Sequence, residues 1–248
     1  MNEADNPANA PFKPLAENSF DGLALARNLL RAISVGTLAT LAKGTSYPFA
    51  TLTSVATLHD GAPLLLLSGL AHHTKNLRAD PRASLLLTQS GKGDPLAHPR
   101  LTLVGRLTPF ADAQARKRFL RRHPKAELYA DFADFGFWRL APEAAHLNGG
   151  FARAADYPGA DLLTPTAAAQ ALIEAEDALL DEINTQSREF RGKLAAAAGE
   201  DKLSHWRAVG LDPEGLDLAS GQAGARLTFA RRAENPTQWR AALASAAG

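Results

Sequence analysis

The sequence contains no cysteine, and this absence excludes several kinds of chemistry at once. Without thiols the chain forms no disulfide, cysteine nucleophile, iron–sulfur cluster or thiolate zinc site. No apolar run approaches the roughly 20 residues that a membrane-spanning helix needs. The net charge of +1 gives no global field that would favour nucleic acid or an acidic partner. With 46% apolar and 21% charged residues, the composition is that of an ordinary globular protein.

The first residues also lack the apolar segment of a secretory signal. They are polar and contain three prolines, so we expect a flexible tail at residues 1–18. We therefore expect a cytoplasmic protein that contacts no membrane. Its length of 248 residues suggests one large domain or two smaller ones.

The common signatures of hydrolases, metalloenzymes and phosphoryl-transfer enzymes are missing too. The chain has seven histidines, but no HExxH motif, no GxSxG elbow and no G-x-x-x-x-G-K-[ST] loop. The adjacent His72 and His73 would point in different directions on either a strand or a helix, which disfavours one shared metal ion. We predict no metal site and assign no catalytic residue from the sequence.

Hydrophobic periodicity predicts a helix followed by a series of strands. Residues 19–33 carry apolar residues at helical spacing, with Ser19 or Asn18 as N-cap. Asp60-Gly61 is a strong hairpin signal. Strands are predicted around it at 35–42, 48–59, 64–67, 84–87 and 100–107.

The most informative stretch is Pro63–Leu87, where two apolar runs enclose a polar, cationic turn and a short amphipathic piece. This order predicts strand, helix, strand. Backbone N–H groups and the helix dipole make such a helix start an anion site. Thr74, Lys75, Asn76 and a histidine would add hydrogen bonds and charge there.

The strand at 48–59 has a row of small side chains on one face, Thr51, Thr53, Val55 and Thr57. Such a row suits a strand that borders a ligand or a subunit. Threonine is also common in strands for reasons of packing alone, so both interpretations stay open.

Two helices are predicted after the fifth strand. The helix at 111–123 directs Phe119 and Leu120 inward and five basic side chains outward, which indicates a solvated face rather than a nucleic-acid surface. A short helix at 126–135 and one or two strands at 137–154 follow. Short strands with such tight spacing predict a closed or partly closed antiparallel barrel.

The composition changes at Tyr157-Pro158-Gly159, and the sequence beyond it is alanine-rich and has helical periodicity. We predict a helix that starts at Thr164-Pro165, a second helical piece at 186–198, and a closing helix at Pro236–Ala246. Three short strands lie between them, at 206–209, 216–218 and 225–229. This small module shows no catalytic constellation, since its polar groups are widely spaced.

Three segments resemble the FMN-binding split-barrel superfamily, whose members are similar to pyridoxamine 5′-phosphate oxidase. They are PFATLTSVATLHDGAPLLLLSGLAHHTKNLRADPRASLLL, RLTLVGRL and NGGFARA. Within the superfamily, the pattern S-x-L-A-x-H-T-x-N-L…D-P-R-x-S-L-L resembles the haem-utilisation (HugZ-like) branch. The last 80 residues are similar to the module of unknown function often fused behind that barrel.

The resemblance implies an α+β fold: an antiparallel six-stranded split β-barrel with flanking helices, plus a small C-terminal α+β module. The barrel domain would span 19–158 and the module 164–246. The protein would be a homodimer with FMN at the subunit interface, acting as a flavin-dependent oxidoreductase on a small molecule. The implied cofactor-binding residues are Thr51, Thr53, Ser54, Ser68, His72, His73, Thr74, Lys75, Asn76 and Arg100.

Two departures from the family pattern keep alternatives open. His72 and His73 stand where the oxidase has arginine and lysine, and histidine is a weaker, pH-dependent cation. The histidine-rich motif of the C-terminal module is replaced here by Glu182–Ser187, in which only Asn184 survives. The alternatives are a flavin-free haem-binding or haem-degrading protein and a non-enzymatic dimeric binding module.

Overall fold

The computed structural model describes residues 21–45, 47–150, 153–200 and 205–247. The predicted tail and the predicted N-caps Asn18 and Ser19 lie outside these residues. Helix α1 (Gly22–Ala32) begins at Asp21, whose carboxylate accepts a hydrogen bond from the backbone N–H of Ala24 at 2.9 Å. Asp21 is therefore the N-cap of this helix.

The first part of the chain folds into a curved sheet with two further helices. In chain order its elements after α1 are β1 (Val35–Leu41), β2 (Pro48–Ser54), β3 (Ala56–Thr57), β4 (Pro63–Ser68), α2 (His72–Ala79), β5 (Arg82–Thr88), β6 (Arg100–Pro109), α3 (Ala113–Arg122), β7 (Phe135–Asn148) and β8 (Ala154–Pro158).

The sheet closes into a barrel because one extended stretch is shared between two neighbours. Strands β2 and β3 follow each other with a break at Val55; β2 pairs with β1, whereas β3 pairs with β4. With β2 and β3 counted as one strand, the antiparallel order β2/β3–β1–β5–β6–β7–β4 is a ring of six. The predicted six-stranded antiparallel barrel is confirmed, and β8 is added outside it by pairing with β7.

Apolar side chains that alternate along the strands fill the barrel. Leu38, Leu85, Leu103 and Ala145 lie side by side on β1, β5, β6 and β7, and all are buried. The turn at Asp60-Gly61 works as predicted, since Gly61 adopts a φ of +90° and Asp60 accepts from the N–H of Ala62 at 2.9 Å. Alternation and turn chemistry thus account for the barrel.

The region between α3 and β7 differs from the prediction. No helix forms at 126–135 in the part of the chain that the structure describes; a short 3-10 turn covers Pro124–Leu128 instead. Aromatic packing explains the difference, since the rings of Tyr129 and Phe135 lie 5.0 Å apart and Phe135 already begins β7. Contacts with the barrel outweigh the local preference for helix.

The second part of the chain is the small α+β module. It contains α4 (Gln170–Glu174), α5 (Glu176–Asn184), α6 (Arg188–Ala197), β9 (Arg207–Asp212), β10 (Gly215–Ser220), β11 (Ala223–Thr228) and α7 (Pro236–Ala247), and its antiparallel sheet has the order β11-β10-β9.

The three predicted strands and the closing helix of the module are confirmed, but the first helix starts later than Thr164. The Thr164 side chain is buried instead, and its hydroxyl donates to Glu214 at 2.7 Å. The module has a hydrophobic core of its own, built around Leu172, Leu211 and Trp239. The boundaries at residues 158 and 164 stay a prediction.

The contact between barrel and module is rich in buried charge. Arg118 and Arg122 of α3 are only 3% and 9% exposed, so the prediction of a solvated basic face is wrong for these two residues. Arg118 pairs with Glu176 of α5, and Arg31 of α1 pairs with Asp212 of β9 at 2.8 Å. The carboxylates that looked widely spaced in the sequence converge here.

Among the helices in the described part of the chain, none combines the length and the apolar character that crossing a membrane requires.

Candidate functional site

The predicted strand–helix–strand at Pro63–Leu87 is present as β4, α2 and β5. Helix α2 begins after Ala71, which has no side chain that could cap the free N–H groups of the first turn. Those N–H groups and the positive end of the helix dipole are therefore available to an anion. The helix start lies at the end of β4, beside the start of β2.

The four residues that open the helix have different surroundings. His72 is exposed, and its ring centroid lies 6.0 Å from that of Phe49 on β2. His73 is half-buried; burial lowers the pKa of its imidazole, and the neighbouring His72 lowers it further. Lys75 is exposed.

Thr74 is 1% exposed, and its hydroxyl has no hydrogen-bond partner among the described residues. The Nε2 atom of His73 is also buried without a partner in the same set of residues. Unpaired buried polar atoms are rare in folded proteins, because each one costs free energy. Their position in the first turn of α2 indicates a place where a ligand is expected to complete the hydrogen bonds.

Two of the predicted binding residues hold the protein together instead. The Ser68 hydroxyl donates to the Asp134 carboxylate at 2.6 Å. The Asn76 side chain donates to the Thr40 hydroxyl and accepts from the backbone N–H of Lys43, each at 3.0 Å. These bonds fix both ends of the turn and the helix, so they position the site.

The predicted strand residues divide between the two faces of β2. Thr51 and Thr53 are opposite Leu38 and Gly36 of β1, so they lie on the inner face, where they are half-buried. Phe49 lies on the same face and leads from them to His72. Ser54 alternates to the outer face.

Arg100 lies away from this cluster within one chain. It pairs with Asn148 at the end of β7, whereas Ser68 pairs with Phe135 at the start of β7. The guanidinium of Arg100 donates to the carbonyl oxygen of Leu96 at 3.0 Å. The structure therefore brings together the residues of β2 and α2. Arg100 lies beside the end of β7 that is far from α2.

Sequence reasoning missed two contributors, Phe49 and Asp134. Phe49 lies two residues before Thr51, so it is on the same face of the strand as the threonine row. This two-residue spacing is a sequence signal that could have identified Phe49. Asp134 offered no such signal, because it was predicted on a helix and reaches Ser68 only through the observed turn.

A family model for the CREG beta-barrel matches residues 18–161, which is more than half of the chain. The protein belongs to the CREG beta-barrel family. The matched region of this CREG-family chain contains α1, the whole barrel and the α2 site. The resemblance to the split-barrel superfamily is thereby confirmed.

Individual relatives of this CREG-family chain support the same assignment. A curated relative from Arabidopsis thaliana, a chloroplastic non-canonical haem oxygenase called HOZ, is 36% identical over 134 residues, which are 52% of this chain. The match covers 40% of the HOZ sequence, so the chain spans about two fifths of that relative.

Two solved structures cover 94% of the CREG-family chain. The Agrobacterium tumefaciens protein Atu2129, of unknown function, is 34% identical, is covered completely and superposes with a TM-score of 0.82. A haem-binding protein from Mycobacterium smegmatis is 28% identical, is covered over 98% of its length and gives a TM-score of 0.55. Both similarities extend over the barrel and the C-terminal module.

Proposed function

We propose that the protein binds haem at the mouth of the barrel, between β2 and the start of α2. The observation that carries this proposal is the exposed His72 imidazole, which lies beside the Phe49 ring at an uncapped helix start. Two relatives, one named a haem oxygenase and the other a haem-binding protein, support the same ligand.

The residues at the mouth fit the chemistry of haem. The exposed His72 would hold the haem iron through an imidazole nitrogen. Phe49 supplies an apolar surface for the macrocycle. The propionates are anions, which suit the N–H groups of α2 and the exposed Lys75. When bound, haem would supply the iron that carries electron-transfer or oxygen chemistry.

Haemin titration of the full chain tests the proposal. We expect a Soret shift that saturates, and we expect His72→Ala to weaken binding by about tenfold or more, a loss of about 1.4 kcal/mol. His205→Ala is the matched control, because His205 is exposed and belongs to the C-terminal module. Absence of a Soret shift would rule out haem as the ligand. Equal affinity of the wild type and His72→Ala would show that haem binds at another place on the protein.

FMN is the second candidate, because Thr74 and His73 offer unpaired polar atoms at the same helix start. The phosphate of FMN would accept hydrogen bonds from that turn, and Thr51 and Thr53 would border the rest of the flavin. Bound FMN would supply redox chemistry, making the protein a flavin-dependent oxidoreductase. A parallel titration with FMN tests this candidate. FMN fluorescence that stays unquenched at micromolar protein would rule out flavin binding and would leave the haem proposal unaffected.

We propose further that the protein is a homodimer in which a second copy covers the outer face of the barrel. On that face Leu52 of β2 is 72% exposed and Val35 of β1 is 42% exposed. Half-buried side chains of the neighbouring strands continue the face, among them Thr37, Leu86 and Thr102. Sedimentation equilibrium is expected to give twice the chain mass of 26.3 kDa; a monomer mass would contradict the dimer.

A further inference from the structure

The seam between barrel and module has more buried cations than buried anions. In the described part of the chain, the seam contains four buried guanidinium groups and three buried carboxylates. The cations are Arg31, Arg118, Arg122 and Arg226, and the anions are Glu176, Asp212 and Asp217.

Three of the four arginines have carboxylate partners. Arg226 lies 2.7 Å from Asp212 and 2.9 Å from Asp217. Arg31 and Arg118 pair with Asp212 and Glu176 as described above. The carboxylates of the seam are therefore already engaged, and Glu176 also contacts Arg121 and His59.

Arg122 is the exception. Its guanidinium donates only to backbone carbonyls, that of Ala32 at 2.8 Å and that of Ala223 at 3.4 Å, and no carboxylate of the described residues lies within 4.0 Å of it. Burial lowers the pKa of Arg122 to about 10, so the group is still protonated at neutral pH. Asp217 lies beyond ion-pair distance but opposes this lowering of the pKa, so the charge of Arg122 is only partly compensated. A buried cation without a direct ion-pair partner is costly.

A small crevice opens beside this group. It has a volume of about 20 Å³ and is lined by Arg31, Arg118 and Arg122 together with Thr57 and Asp217. The Nη2 atom of Arg118 lies 3.8 Å from the nearest Asp217 oxygen, which is too long for a hydrogen bond. Donors from two residues of α3 thus border a space that holds about one small ion or water molecule.

We infer that this crevice binds a small monovalent anion of the size of chloride. Such an ion would balance the excess charge and take up N–H donors of Arg118 and Arg122. The Asp217 carboxylate also lines the crevice, and its charge is offset by Arg226, which lies 2.9 Å away. The small volume favours a monatomic ion over a tetrahedral oxyanion. The ion would lie where α1 and α3 of the barrel meet the module. This inference is independent of the haem proposal.

Thermal unfolding of the full chain in sodium chloride, bromide and gluconate at equal ionic strength tests the inference. A ligand that binds only the folded state lowers the unfolding constant about tenfold at ten times its dissociation constant. We expect a saturable rise of a few degrees in Tm with chloride and bromide and a smaller, unsaturated change with gluconate. The ³⁵Cl resonance should also broaden with the protein and narrow again on addition of bromide.

Arg122→Gln removes the unpaired charge and is expected to abolish both the halide dependence and the broadening. Arg116→Gln is the control on the same helix, because the Arg116 side chain is 41% exposed and pairs with Asp131 at the surface. If Arg122→Gln does not fold, the broadening in the wild type and its reversal by bromide decide the matter. Equal Tm in chloride and gluconate, or chloride broadening that bromide does not reverse, would overturn the inference and leave water in the crevice.

Discussion

The Asp212→Asn protein is expected to lose about 3–5 kcal/mol of its free energy of unfolding, because the change breaks a buried charge network on one side only. Asp212 is completely buried and pairs with Arg31 at 2.8 Å and Arg226 at 2.7 Å. Asparagine keeps the shape but leaves the buried Arg31 without its ion-pair partner and Arg226 with Asp217 alone. Urea unfolding followed by circular dichroism measures the loss.

The matched control for this experiment is Glu182→Gln. Glu182 pairs with Arg240 at 2.8 Å, but both side chains are about half exposed, so the pair contributes about 0–1 kcal/mol. Equal effects of the two substitutions would contradict the view that buried pairs hold the module to the barrel.

The pH dependence of the Asp212 contribution has a definite sign. Burial alone would raise the pKa of this carboxyl, but Arg226 and Arg31 outweigh burial and hold the pKa well below its usual range. A carboxyl whose pKa is lowered by folding stabilises the protein above its unfolded pKa of about 3.9. The stabilisation by Asp212 is therefore complete at neutral pH. It is lost only as the pH falls below the unfolded pKa toward the pKa of the folded state.

The second large effect is expected for Phe119→Ala, which should cost about 3–5 kcal/mol. Phe119 is fully buried on α3, and its ring meets Phe137 edge to face with centroids 5.5 Å apart. Removing the ring loses that contact and leaves a cavity between α3 and the barrel. The measurement is again the midpoint and slope of urea unfolding.

Phe132→Ala serves as its control, since Phe132 is 58% exposed and its change should cost less than about 1 kcal/mol. A loss of similar size in both variants would show that α3 does not seal the core. A much smaller loss in Phe119→Ala would mean that the helix shifts to fill the space.

The partners of Asp212 lie on α1 and β11, whereas helix α3 packs on the barrel through Phe119 and on the module through Arg118. A variant weakened at either contact changes how firmly the two parts of the chain are joined. The α2 site belongs to the barrel, so ligand binding at His72 and module attachment can be measured separately in the same protein.

The sequence by itself determined the barrel strands, the position of α2 and the superfamily. Those features follow from local signals: the apolar runs at Leu64–Leu67 and Ser84–Leu87, the Asp60-Gly61 turn, and a polar cluster at a helix start. Such signals act within a few residues, so they can be read along the chain. The order of the elements then leaves few ways to close the sheet.

Only the tertiary structure decided which polar groups are free for a ligand and which are structural. Ser68 is engaged because Asp134, 66 residues later, reaches it through a turn that the sequence had predicted as helix. Arg118 is buried because Glu176 and the module cover a helix face whose composition is typical of a solvated surface. Pairing between distant segments carries no local periodicity, and the burial of a charge depends on a partner that only the folded chain brings near.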